Sequence, residues 1–449
     1  MNDYKRNDPN RLMSRRSFSA ASAAIGAAAV FATPSFARVS KLRVDNILKV
    51  GLIGCGGRGT GAAVQALQAD PGAVLWAMGD VFEDKIKPCL GYVHDNMLDL
   101  DQEQGTDTWA KKVQLDESRM FSGLDAVHKV LASGVDVVIL TTPPGFRPQH
   151  LRLAIEAGKH VFCEKPVAVD STGVRSVIES ARMAKEKSLS LMSGFCWRYQ
   201  DQVKETFSKV LAGGIGDIHT IQTTYNTTGW VRPNARKAEW SDAEFQLRNW
   251  QYFTPLSADH IAEQAVHAID WQAWVMNDRP PVKCFAVGGR QTRPELDETG
   301  NVYDHYSIIY EYPNGVRAYH MCRHWPNTPS DNSAFIQGSQ GHCTMKPWNG
   351  THVIEGDHPW KGEAKSNDMY QREHDLLFKA IRKNEPVNDG VRMSHSTLLA
   401  IMGRMATYSG QTVTWEHALN SKENLNEVPW TIGARETPKL AVPGRTELI

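Results

Sequence analysis

The 449-residue chain has no charge excess, no Cys-x-x-Cys pair, and no internal repeat or low-complexity tract beyond its N-terminal segment. Fifty Lys+Arg balance fifty Asp+Glu. Bulk charge therefore draws neither nucleic acid nor an anionic membrane to this protein. The seven cysteines, Cys55, Cys89, Cys163, Cys196, Cys284, Cys322 and Cys343, are widely scattered. That spacing excludes a disulfide framework, and the odd number leaves at least one thiol unpaired within the chain, where it behaves as a small buried hydrophobe.

What is present begins with Ser14-Arg15-Arg16-Ser17-Phe18-Ser19, an Ala-rich run from Ala20 to Ala32, and Ser35-Phe36-Ala37. The run is too short to span a bilayer and ends in small residues a peptidase accepts; Pro34 argues against a domain helix. Residues 1–37 thus read as a twin-arginine signal cleaved after about Ala37, with the twin-arginine translocase as a partner and the periplasm as destination. Cleavage removes five basic and two acidic residues and leaves a slightly acidic chain. About 410 residues are ample for two domains.

After a linker over 38–46, residues 47–195 alternate apolar strands with amphipathic helices, the pattern of a doubly wound parallel sheet. Strands are expected at Leu48–Ile53, Ala73–Met78, Val135–Thr141, His160–Cys163 and Leu189–Gly194. Helices are expected at Gly59–Ala69, Gly123–Ala132, Pro148–Ala157 and Ser171–Lys187. Between the first strand and first helix lies Gly54-Cys55-Gly56-Gly57-Arg58-Gly59, a Gly-x-Gly-x-x-Gly motif in the strand-to-helix context that makes it credible. Gly54 permits the tight turn, Gly56 and Gly57 let backbone approach a pyrophosphate, Gly59 permits close helix packing, and Arg58 is either a phosphate-side cation or a solvated loop residue. Asp80, ending the second strand, suits ribose hydroxyls and repels a 2′-phosphate, so NAD is favoured over NADP. An exported protein must carry that cofactor out tightly bound. Thr142 and Pro143 end a third strand at the ligand-facing edge.

The stretch His160-Val161-Phe162-Cys163-Glu164-Lys165-Pro166 puts an acid and a lysine at that same edge. Here the chain resembles the Gfo/Idh/MocA oxidoreductases, the family of glucose-fructose oxidoreductase and inositol dehydrogenase. The resemblance implies that Glu164, Lys165 and Pro166 border the nicotinamide and substrate, that Lys165 acts on the reacting hydroxyl, and that the bond before Pro166 is cis. It further implies an acid–x3–His–x2–Asp signature, matched by Glu263, His267 and Asp270, with His267 catalytic, Glu263 orienting or polarising, and Asp270 near the substrate.

Residues 196–390 carry longer alternating strands, at Ile218–Tyr225, Val282–Val287, His305–Tyr312, Ala318–His324 and Ala334–Gln337, which predict an α+β domain with a large, mostly antiparallel open sheet. Family resemblance implies a homodimer or homotetramer through that sheet, and a C-terminal helix and tail, 391–449, returning to the first domain. One helix from Asp259 is expected to place His260, Glu263, Gln264, His267 and Asp270 on one face. Arg198, just after the last strand of the first domain, is expected at the cofactor or substrate. Trp230, Arg232 and Trp250 belong to a segment dense in aromatics and cations, suited to a sugar ring or to a packed loop of its own. His320, Cys322 and His324 share a strand face that could hold zinc only with a further ligand that spacing does not supply; no metal is expected. The tail after Gly410 carries no functional signal.

The combined expectation is a periplasmic NAD-dependent oxidoreductase acting on a secondary hydroxyl of a sugar, glycoside or cyclic polyol. The alternatives are a redox-neutral NAD-dependent glycosidase and a non-catalytic sugar-binding protein.

Overall fold

The computed structural model describes residues 47–228, 233–293, 299–363 and 365–449. The twin-arginine segment with its cleavage point at Ala37, the linker to residue 46, and the substrate candidates Trp230 and Arg232 lie outside the described residues.

Six strands, β1 (Leu48–Ile53), β2 (Ala73–Asp80), β3 (Met120–Ser122), β4 (Val137–Leu140), β5 (His160–Cys163) and β6 (Leu191–Ser193), form one sheet in the order β3-β2-β1-β4-β5-β6. Every adjacent pair is parallel. Apart from Lys49 near the start of β1, the central strands β1 and β4 are apolar because helices cover both faces, leaving no polar side to the pleat. Those helices are α1 (Gly57–Ala69), α2 (Glu83–Gln104), α3 (Ala126–Ala132), α4 (Arg147–Glu156) and α5 (Ser171–Glu186). The strand order places the switch point between β1 and β4, so ligands are expected above the carboxyl ends of those strands.

The second sheet has nine strands: β7 (Ile218–Thr227), β8 (Lys283–Gly289), β9 (His305–Glu311), β10 (Arg317–His324), β11 (Ala334–Gly338), β12 (Gly341–Lys346), β13 (Thr351–Gly356), β14 (Trp360–Lys361) and β15 (Val413–Thr414). Their order is β14-β13-β12-β11-β7-β10-β9-β8-β15. Among the described residues of this sheet, only the β7–β10 pair is parallel. Alternation along β10 buries Ala318, His320, Cys322 and His324 and leaves Met321 exposed. The Val266–Val275 and Gly390–Ser409 helices pack against the covered face.

The Gly390–Ser409 helix also packs on α5, and the Met369–Lys383 helix packs on α1. The return to the first domain therefore begins well before residue 391. One apolar cluster runs from Val138 and Val161 of the first sheet to Ile308 and Ile336 of the second. All seven cysteines are buried and free. Among the described residues no helix is long and apolar enough to cross a membrane.

Candidate active site

The glycine turn is shaped by two close approaches that leave no room for a side chain. Gly54 has φ +101°, and a Cβ there would lie 2.7 Å from the Thr142 nitrogen. At Gly59 a Cβ would lie 2.0 Å from the Gly54 oxygen, so α1 can start this close to β1 only without one. At Gly56 and Gly57 a Cβ would meet nothing within 4 Å. The first turn of α1 contains no acid, and no side chain caps it. Its free N–H groups and positive dipole end thus face open space, a cradle that fits a dinucleotide's pyrophosphate. Asp80 is held by two main-chain donors, Cys55 N at 2.7 Å and Phe82 N at 2.9 Å. Burial pushes its carboxyl up, and those two donors oppose the shift. Thr142 Oγ1 meets His150 Nδ1 at 3.2 Å beside Pro143.

At the end of β5, Lys165 Nζ donates to the Glu263 carbonyl oxygen and lies 3.5 Å from Glu263 Oε1. The Lys165–Pro166 bond is cis. Burial first, and the Lys165 charge second, hold the His267 imidazole well below its ordinary pKa, so the ring is neutral at pH 7. His267 Nδ1 and Glu263 Oε2 are buried and have no hydrogen-bond partner among the described residues. Both atoms are thus left able to take a hydrogen bond from a polar guest. Tyr225 of β7 adjoins this group; burial and then the Glu263 charge drive its phenol strongly upward. Sequence reading missed Tyr225 because nothing in a strand tyrosine distinguishes a site wall from core.

The expected helix from Asp259 is two helices, His260–Glu263 and Val266–Val275, broken at Gln264 with φ −115° and ψ −54°. The break turns His260 away from His267. His260 is fully buried, bonded to Asp259 and 4.2 Å from the His324 ring. Three other expectations are corrected. Arg58 is partly exposed and not a free loop cation: it bonds Glu164 at 2.5 Å, Gln65 at 2.9 Å and Glu373 at 3.3 Å, tying the glycine loop to the Glu164 strand end. Arg198 does not line the cavity above the glycine turn but forms a two-pronged pair with Asp270 at 2.8 and 2.9 Å and a second pair with Asp278. Asp270 is 1% exposed and also accepts from Ser396, so the Arg198–Asp270 pair anchors the Val266–Val275 helix and leaves Asp270 out of reach of a substrate. His320 engages Thr223 and His324 engages Gln264, on the sheet face that packs inside the protein.

Trp250 is also placed differently. A cavity of about 220 Å³ opens above Gly54, Gly56, Asp80, Thr142 and Pro143, and its opposite wall is Leu247, Arg248 and Trp250. Trp250 thus faces the dinucleotide side rather than the Lys165–His267 cluster.

Residues 48–195 match the family model described as the oxidoreductase family with NAD-binding Rossmann fold, and residues 204–344 match the C-terminal domain of the same family. The chain belongs to the Gfo/Idh/MocA oxidoreductase family. Its first domain is an NAD-binding Rossmann domain. Among curated relatives, trans-1,2-dihydrobenzene-1,2-diol dehydrogenase of Sus scrofa is 24% identical over 262 residues, covering 56% of this chain and 70% of that one. Inositol 2-dehydrogenase 3 of Saccharopolyspora erythraea is 27% identical, covering 60% and 64% respectively. The aldose-aldose oxidoreductase from Caulobacter crescentus shares the fold, with a TM-score of 0.61 at 17% identity over 82% of this chain and all of that one.

Proposed function

We propose that this family member is a periplasmic NAD-dependent oxidoreductase that removes hydride from a secondary hydroxyl of a sugar, glycoside or cyclic polyol, with NAD held tightly. The observation that carries the reading is the Lys165–Glu263–His267 cluster, in which a neutral histidine with a partnerless nitrogen stands beside a lysine at the carboxyl edge of an NAD-binding sheet. When bound, NAD supplies the hydride acceptor. Gly54, Gly56, Gly57 and Asp80 would hold it. The Lys165 ammonium donates to the substrate hydroxyl oxygen, and the neutral His267 ring takes the hydroxyl proton as a general base. Glu263 positions Lys165 through its main-chain oxygen and carboxylate. The carbon that loses hydride becomes a carbonyl.

Export rests on Arg15 and Arg16 with the small-residue cleavage point near Ala37. Self-association through the exposed face of the second sheet is supported by Val287, Met321 and Phe335, which stand in solvent in the single chain. The relatives, dehydrogenases of a cyclic diol and of an inositol, favour a polyol or sugar over a nonpolar alcohol.

Lys165→Ala and His267→Ala should each lower turnover by about a hundredfold or more while leaving NAD affinity and the melting temperature near wild type. The double variant should lose less than the product of the two losses, since both groups act on one hydroxyl. Either single variant turning over at the wild-type rate would contradict the assignment.

A further inference from the structure

We propose that the segment from Asp242 to Trp250, contributed by the second domain, is a built-in roof over the adenosine half of the NAD site, with Leu247, Arg248 and Trp250 as its contact residues. The proposal rests on the NAD reading and adds a retaining element to it. Asp80 at the end of β2 marks where the adenosine ribose lies, and the 220 Å³ cavity opens directly from it. Beyond Asp80 the walls are Val81, Leu124 and Phe146 from the first domain, with Leu247 and Trp250 opposite. A mostly apolar slot with one carboxylate at its mouth suits a purine riboside.

The roof is fastened on three sides. Arg248 reaches both oxygens of Asp84 at 3.1 Å, bonds Glu244 at 2.9 Å, and lies 3.9 Å from the Phe82 ring centre. Asp84 is 59% exposed, so that ion pair alone would hold weakly. The stronger fastening is apolar. Phe245, Leu247, Phe253 and Leu256 form a separate small core against which Val81, Phe82, Leu124 and Phe146 of the first domain pack. The third fastening is the C-terminal tail: Ala243 N donates to Gly433 O at 3.0 Å, and Gln246 Nε2 donates to the carbonyls of Arg435 at 3.3 Å and Glu436 at 3.2 Å. The aromatic-rich segment and the uninformative tail are thus two layers of one structure. A nucleotide beneath them is covered on its adenosine side by a packed core that slows its escape, which suits an enzyme working where NAD is not resupplied.

Two experiments on the purified holoenzyme decide the matter. Trp250→Ala and Arg248→Met should release NADH about tenfold faster than wild type in displacement by excess NAD. Unchanged release rates in folded variants would overturn the roof. In the unmodified protein, stripped of nucleotide, ADP-ribose should slow amide hydrogen exchange over residues 242–252, and nicotinamide mononucleotide should not. ADP-ribose binding without that protection overturns the roof and leaves the NAD reading standing. Failure of both ADP-ribose and NAD to bind overturns the two together.

Discussion

Two buried histidines, His150 and His320, and the half-buried His160 make the protein acid-sensitive in a definite window. Burial holds His150 and His160 at about 4 and His320 at about 3, against an ordinary value of 6.5. His160 Nδ1 accepts the Ser190 N–H at 3.0 Å, a bond that protonation would break. The folded state therefore refuses protons that the unfolded chain takes up below about pH 6.5, and stability falls as pH drops from there towards 4. Each histidine costs about 1.4 kcal/mol per pH unit in that window. Buried carboxyls raised by burial, Asp80, Asp170, Glu373 and Glu423, work in the opposite direction, while His260, His267, His324 and His374, lowered by burial in the same way, add to the loss. Urea unfolding should show a clear loss of stability between pH 7 and pH 5, reduced in His160→Asn. A flat profile would show these rings are not the buried neutral groups described. At this scale the sequence was most readable where a motif sits at the end of an element. Lys165, Glu263 and His267 come together because the chain just past β5 meets the break between the His260–Glu263 and Val266–Val275 helices. Arg198 and Asp270 were misread because a charged pair buried for anchorage has the same letters as one exposed for binding; only burial separates them.

Among elements, α1 depends on a backbone contact that has no room for a methyl group. A Cβ at Gly59 would also lie 2.6 Å from Thr141 Oγ1, so both neighbours are fixed. Gly59→Ala should therefore lower the melting temperature by several degrees, equivalent to about 1–3 kcal/mol, and abolish the stabilisation that added NAD gives wild type. Gly57→Ala, which meets nothing, is the matched control and should melt as wild type does. Equal melting and equal NAD response in both variants would refute the close-approach argument. Strands β1 and β5 fall at the boundaries their apolar runs predict, since a strand buried on both faces is legible as a block. Helix α2 was not legible: Pro88 interrupts it six residues in, while Glu83 and Asp84 in its first turn and Gly105 at its left-handed end fix it all the same. The break at Gln264 was hidden for the opposite reason, because a polar spacing of three and four continues straight through it.

For the whole molecule, the two family domains are joined by shared packing rather than by a linker, and the chain's last hundred residues do much of the joining. The Met369–Lys383 and Gly390–Ser409 helices lie against the first domain, and the tail beyond Gly410 braces the segment above the NAD cavity. None of this was visible from composition, since long-range packing of a loop-rich tail leaves no periodic trace. The central claim is that these parts hold NAD in place to accept hydride from a sugar or polyol hydroxyl. Its most direct test is to add a panel of sugars, glycosides and cyclic polyols to the purified holoenzyme, following NADH absorbance and product mass together. The account predicts that at least one compound reduces the bound cofactor and emerges two hydrogens lighter, as a ketone. Release of an aglycone with no net reduction, or no reduction across the panel, would contradict it.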